Sequence, residues 1–185
     1  LNPVTVYVIF WVVIQILVCF LGDIWRILSP FDTMALILEK WGLIKNSKSP
    51  LWSHWVAPLG ALSFLFFELI HPNGDSPLFL SLGILIYTFC MMVGVSFWGR
   101  DWLNVGDTFA VHFRLLAKMA PLDIREKSVN LRAPLSGLST YRFTGAEVAT
   151  LMIVLGGVTF DGFGESEMWR DFVGRKSEWV NAAVR

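Results

Sequence analysis

The sequence predicts an all-α fold: a polytopic transmembrane helical bundle of three to four spans with amphipathic helices at the interface, in a single domain over residues 1–185. Three observations carry that expectation. Hydrophobic residues make up 55% of the chain and charged residues 16%, against about 45–50% and about 25% in ordinary soluble domains. No charged side chain occurs in residues 1–22, 49–67 or 76–99. Each run approaches the ~20 apolar residues that cross a ~30 Å hydrocarbon layer at ~1.5 Å per residue. Tryptophans Trp25, Trp41, Trp52, Trp55, Trp98 and Trp102 gather near the ends of these runs, as aromatic belts do at membrane interfaces.

The first span is expected over 3–21. It closes on Gly22-Asp23-Ile24-Trp25-Arg26, where Asp23 and Arg26 are spaced to pair on one helix face or to meet lipid headgroups. Ser29-Pro30 then opens an amphipathic segment over about 30–44, with Met34, Leu36, Ile37, Leu38 and Trp41 among Asp32, Glu39 and Lys40; that pattern suits a helix lying along the interface. A second span over 51–70 and a third over 78–98 flank His71-Pro72-Asn73-Gly74-Asp75-Ser76-Pro77. Asn-Gly and the two prolines make that stretch a turn, so the two spans form an antiparallel hairpin.

A second amphipathic segment is expected over about 101–120, stopped by Pro121, with a basic loop behind it carrying Arg125, Lys127, Arg132 and Pro134. The fourth span, over 144–163, has the shortest uncharged stretch because Glu147 falls in its first turn. It reads as a short crossing or as a re-entrant segment. Gly156-Gly157 within it permits close helix contact. A third amphipathic segment is expected over 165–185.

Basic residues orient the chain. The stretch after span one holds Arg26, Lys40, Lys45 and Lys48; that after span three holds Arg100, Arg114, Lys118, Arg125, Lys127, Arg132 and Arg142; the 71–77 turn holds none. The positive-inside rule then places both basic loops in the cytoplasm, with the N-terminus, the 71–77 turn and the C-terminal tail outside a bacterial inner membrane.

Several function classes drop out. Fifteen basic residues balance fifteen acidic ones, and no basic stripe interleaved with aromatics appears, so nucleic acid is not an expected partner. Cys19 and Cys90 sit in separate apolar runs without metal-ligand spacing, which indicates buried packing. No nucleophile elbow and no phosphate-cradling glycine loop occurs. His54 and His112 are expected across the bilayer from His71, so the three cannot share a zinc ion.

The candidate site residues are Glu68, His71 and Asp161, as metal ligands or a catalytic base. Glu68 and His71 are three apart and can share a helix face, while Asp161, Glu165, Glu167 and Asp75 fall on the same expected side. Carboxylates and one histidine can hold a divalent metal. The competing reading is an acidic outer surface in contact with water and headgroups. Glu147 offers either a proton path or a charge that complements the helix dipole. The sequence requires no cofactor and identifies none.

Asn2-Pro3-Val4, the run 22–31, Phe67-Glu68-Leu69-Ile70-His71-Pro72, Trp98-Gly99-Arg100-Asp101-Trp102 and Gly157-Val158-Thr159-Phe160-Asp161-Gly162-Phe163 resemble bacterial multi-pass membrane proteins of the fenitrothion hydrolase-like family. The resemblance covers about residues 2–182. It implies that the chain is an internal portion of a longer protein, with a further N-terminal region and further membrane helices. It also implies hydrolysis of organophosphate-type esters, for which a metal-activated water is the usual nucleophile and Glu68, His71 and Asp161 are the matching polar residues. The leading expectation is a non-catalytic membrane subunit or scaffold packed against other membrane proteins, in a larger complex such as a respiratory or photosynthetic one. A metal-dependent hydrolase with its site at the outer surface is the alternative. Transport is a weaker third, since apart from Glu147 near one end the spans offer no mid-membrane charge.

Overall fold

A computed structural model describes residues 5–44, 48–69, 76–125, 128–164, 166–169 and 171–172. His71, Asp75, Glu165 and most of the 165–185 segment lie outside the described residues, as does the Asn73-Gly74 turn.

The chain is mostly helical. A π-helical stretch, Thr5–Val13, runs directly into α1 (Ile14–Leu21). Gly22, at φ 86°, ends it, a backbone conformation that glycine adopts without a Cβ clash. The short helix α2 (Trp25–Leu28) and α3 (Pro30–Lys40) follow. Pro30 occupies the first position of α3, where its missing N–H removes no helical hydrogen bond. Helix α3 lies against α5 (Pro77–Trp98): Ala35, fully buried, packs with Met91 and Val95. Arg100 grips both carboxylate oxygens of Asp32, at 2.8 and 2.7 Å.

A 3₁₀ turn, Leu51–Trp55, leads into α4 (Val56–Leu69). After α5 come α6 (Asp101–Gly106) and α7 (Thr108–Leu116). One departure from an all-helical chain follows. Strands β1 (Leu122–Arg125) and β2 (Ser128–Leu131) pair antiparallel, with Leu122 opposite Leu131. Part of the basic loop of the sequence is thus paired as strands, and Arg132 behind it donates to the Ala117 and Ala120 carbonyls just past the end of α7. Helix α8 (Ser136–Thr140) leads to α9 (Gly145–Gly164).

Among the described residues two helices, α5 and α9, are long and apolar enough to cross a membrane. The first two expected spans are built from shorter pieces, because a π-helical stretch precedes α1 and a 3₁₀ turn precedes α4. The segment with the shortest uncharged run, α9, is by contrast one continuous helix of 20 residues.

Helices α4 and α9 form a parallel pair. Ala61 packs with Val154, and a Cβ on Gly157 would strike the Leu65 side chain. Of the two adjacent glycines, Gly157 makes the close contact; Gly156 faces open space.

The structure departs most from expectation at 101–116. Instead of lying along a surface, α6 and α7 enter the bundle as a helical hairpin. Trp102, Leu103, Val111, Phe113 and Leu115 are all buried, so the apolar side chains of both helices find partners inside the bundle.

Candidate functional site: a polar hairpin tip inside the bundle

The hairpin starts where α5 stops. Gly99, at φ 69°, reverses the chain, and α6 runs back along α5. The Trp102 indole stacks on Trp98 at 4.9 Å and 23° and fills the space left by the absent side chain of Gly94. At Asp107 the backbone turns extended, with ψ 112°, and α7 returns in the opposite direction.

The Asp107–Thr108 tip is the polar centre of the molecule. Asp107 Oδ1 accepts the Phe109 amide at 3.0 Å, which caps α7, and the Tyr87 hydroxyl of α5 at 2.6 Å. The Tyr87 oxygen in turn accepts the Thr108 amide at 2.9 Å. The Thr108 hydroxyl donates to the Ala57 carbonyl of α4 at 3.0 Å, against a Gly60 that leaves room for it. One two-residue tip therefore fastens α4, α5 and α7 together.

Its depth follows from helix geometry. Tyr87 precedes the last residue of α5, Trp98, by eleven positions, or ~16 Å of helix. Phe109, two residues past Asp107, packs edge-on against Phe10, Trp11, Phe64 and Tyr87 at centroid distances of 4.9 to 6.3 Å. Those partners lie well inside the first three helical segments, so the tip sits roughly midway along the bundle.

Four buried polar atoms near the tip have no hydrogen-bond partner among the described residues: Asp107 Oδ2, Trp25 Nε1 and both ring nitrogens of His112. The Trp25 indole N–H faces the Asp107 carboxyl closely enough to stabilise it electrostatically. His112 stacks on Trp11 at 5.4 Å and 21°. The structure thus places His112 within the bundle, whereas the sequence places it on the cytoplasmic side.

A second polar cluster sits at the start of α9. Thr144 and Glu147 form a reciprocal capping box: the Glu147 amide donates to Thr144 Oγ1 at 3.3 Å, and the Thr144 amide donates to Glu147 Oε2 at 2.9 Å. Glu147 Oε1 also accepts the Tyr141 hydroxyl at 2.7 Å and the Arg114 guanidinium at 3.1 Å. Burial, followed by the hydrogen bond to Glu147, pushes the Tyr141 phenol up from its usual pKa. A cleft of about 220 Å³ opens here, lined by His54, Asn104, Arg114, Tyr141 and Glu147 among others. Each Glu147 oxygen already holds two donors, so the cluster acts as a lock between α7 and α9.

Of the residues singled out by sequence, Glu68 and Asp161 come together. They occupy the last turns of α4 and α9, in the register set by Ala61–Val154 and Leu65–Gly157, and their charges act on each other. His71 lies outside the described residues. Among the described residues no group of three or more His, Cys, Asp or Glu is arranged to hold a metal. At Asp23, the carboxylate accepts the Arg26 amide, with Arg114, Arg26 and Lys118 near enough for charge interaction; burial, the largest influence, raises its pKa.

The tip residues Asp107, Tyr87 and Thr108 were not identified as site residues from the sequence. Gly106-Asp107-Thr108 does carry a legible signal, an N-cap Asp ahead of an apolar stretch. Thr144-x-x-Glu147 likewise spells a capping box. Neither signal tells that the tip lies inside a bundle. In comparisons with known proteins, no family model matches the chain, and neither a curated protein nor a solved structure matches it.

Proposed function

We propose that this chain is a non-catalytic integral membrane subunit or scaffold that packs against other membrane proteins in a larger bacterial complex, such as a respiratory or photosynthetic one. One observation carries the reading: the polar groups at the core of the bundle hold helices to one another. Asp107 Oδ1, the Tyr87 hydroxyl and the Thr108 hydroxyl are all engaged in joining α4, α5 and α7. Outward, α5 presents Leu78, Leu85 and Phe89, which are 80%, 67% and 68% exposed, while Met91 and Val95 face the bundle. Such a face has to meet lipid or another subunit.

In this reading the chain crosses the inner membrane four times, over 3–21, 51–70, 78–98 and 144–163. The basic stretches face the cytoplasm, and the N-terminus, the 71–77 turn and the tail lie outside. The α6–α7 hairpin enters from the cytoplasmic side and returns to it. Irregular backbone at such depth is tolerated where protein surrounds it.

A second reading, a membrane-bound metal-dependent hydrolase of organophosphate-type esters as in the fenitrothion hydrolase-like family, is favoured by the meeting of Glu68 and Asp161 at one end of α4 and α9. Purification in mild detergent, with metal analysis and esterase assays of wild type, Glu68→Ala and Asp161→Ala, separates the two. Stable co-purification with a multi-subunit complex, without turnover, is expected. Bound metal together with activity lost in both variants would overturn the scaffold reading.

A further inference from the structure

Residues 133–136 form a tight turn with an apolar side chain where glycine belongs. The Ser136 amide donates to the Ala133 carbonyl at 3.1 Å, Pro134 takes the second position, and Leu135 takes the third with φ 68° and ψ −11°. These are the features of a type II turn, whose third residue is ordinarily Gly or Asn because the backbone there is left-handed. Leu135 is the one non-glycine residue with positive φ among the described residues. A Cβ in that conformation crowds the following carbonyl, so the leucine works against the turn it occupies. It gains little packing in return, being 53% exposed, and nearby Leu131 is 85% exposed.

The position of the turn indicates what meets this side chain. The Leu135 amide donates to the Met119 carbonyl at 3.1 Å, which ties the turn to the chain just beyond α7. Met119 lies five residues past Arg114, the α7 residue that meets Glu147 in the first turn of α9. Two of those residues continue α7, about 3 Å of axial rise, and the rest form turns just beyond its end at Leu116, while a headgroup layer extends ~5–7 Å beyond the hydrocarbon. The surrounding stretch, 117–143, carries five basic residues (Lys118, Arg125, Lys127, Arg132, Arg142) against two acidic ones (Asp123, Glu126). Exposed apolar side chains in a basic stretch of sequence match the chemistry of an anionic membrane surface.

We propose that the 133–136 turn is an interfacial anchor that inserts Leu135 among the headgroups of the bilayer, with anionic lipid as its partner. This rests on the membrane reading above. The left-handed strain at Leu135 is then the cost of presenting an apolar side chain where a glycine would present none.

The test uses the full chain in nanodiscs, with Cys19→Ala and Cys90→Ala and a single spin label at Leu135→Cys. Collision with oxygen, which partitions into lipid, is compared with collision with a water-soluble nickel chelate. Greater access to oxygen than to nickel is expected, with the ratio rising severalfold when phosphatidylglycerol is added to phosphatidylcholine. Nickel access above oxygen access would overturn the anchor, as would equal ratios in the two lipids. Low access to both reagents would indicate burial against protein and would also overturn it. Leu135→Gly, labelled instead at Leu131→Cys, should unfold in detergent at no lower temperature than the parent yet lose shielding from nickel. Release of the unlabelled chain from membranes by alkaline carbonate would instead defeat the membrane reading itself.

Discussion

The Tyr87 hydroxyl stands 2.6 Å from Asp107 Oδ1 and accepts the Thr108 amide from its other side. A single phenol on α5 therefore satisfies a donor and an acceptor at the tip of the hairpin. Tyr87→Phe orphans the buried Thr108 amide and leaves Asp107 Oδ1 with the Phe109 amide alone, and an orphaned buried group costs about 1–3 kcal/mol. The variant should lose about 1–3 kcal/mol of stability, read as a lower unfolding temperature in detergent. Asp107→Asn, which keeps an acceptor for the cap, should lose less than Asp107→Ala.

The two glycines that seat the hairpin should behave unlike the helix glycines that face open space. An added Cβ on Gly94 meets the Trp102 indole, and one on Gly60 meets the Thr108 hydroxyl. Gly94→Ala and Gly60→Ala should each destabilise by about 1–3 kcal/mol through overpacking. Gly83 of α5 faces open space, so Gly83→Ala should be neutral or stabilising by up to about 1 kcal/mol. Equal effects at positions 83 and 94 would argue against the packing of α6 on α5.

These contrasts also mark how far the sequence could be read. Uncharged runs located the helical segments near 51–70, 78–98 and 144–163 to within a few residues, because length and hydropathy are local properties. Pro30 and Gly22 were legible as helix punctuation for the same reason. The hairpin was not. Asp101, Asp107, Arg114 and Lys118 lower the hydropathy of 101–120 to that of a surface helix, and only the three-dimensional partners Gly60, Tyr87 and Gly94 show that it goes inside. Pairing of Glu68 with Asp161 was expected from their positions at the same end of two segments. The β1–β2 pair is hard to read because its strands, though alternating, are only four residues each and sit in a basic stretch that reads as a loop.

His112 tests whether the interior is purely architectural. Its ring stacks on Trp11 while both nitrogens lack a partner among the described residues. Replacing a buried unpaired polar ring by an apolar one of similar shape is neutral or stabilising. His112→Phe should therefore raise stability by about 1 kcal/mol or leave it unchanged. A marked loss of stability would mean that the imidazole nitrogens hold a partner in the membrane.

Arg114 and Glu147 are coupled across α7 and α9, and their effects should not add. Arg114→Ala strands a Glu147 carboxylate that is only 8% exposed, at a cost of about 2–4 kcal/mol after allowance for the partly exposed arginine. Arg114→Ala combined with Glu147→Gln should cost less than the sum of the single changes, with a coupling above about 0.5 kcal/mol. Unfolding in detergent measures all four corners of that cycle.

Asp23 gives a pH dependence of definite sign. Burial raises its pKa in the folded chain above the usual 3.8, so folding favours the protonated form. Its contribution to stability is greatest at low pH and is lost as pH rises through the folded value. Asp23→Asn, which preserves an acceptor for the Arg26 amide, should exceed wild type in stability at neutral pH. The two should converge as pH falls toward 4. An identical difference at pH 4 and pH 7 would show that the Asp23 charge plays no part.

The order of the hairpin's contacts along the chain bears on biosynthesis. Ala57, Gly60, Tyr87 and Gly94, against which the tip and α6 lodge, all precede Asp107 in the sequence. When the hairpin leaves the ribosome its berth is already made, and docking need not await the rest of the polypeptide. Glu147 arrives only later, so the bond to Arg114 closes a hairpin already in place. A nascent chain that has emerged from the ribosome through residue 120, with Glu147 still inside the exit tunnel, would then have its tip free to seat and its α9 latch still unformed.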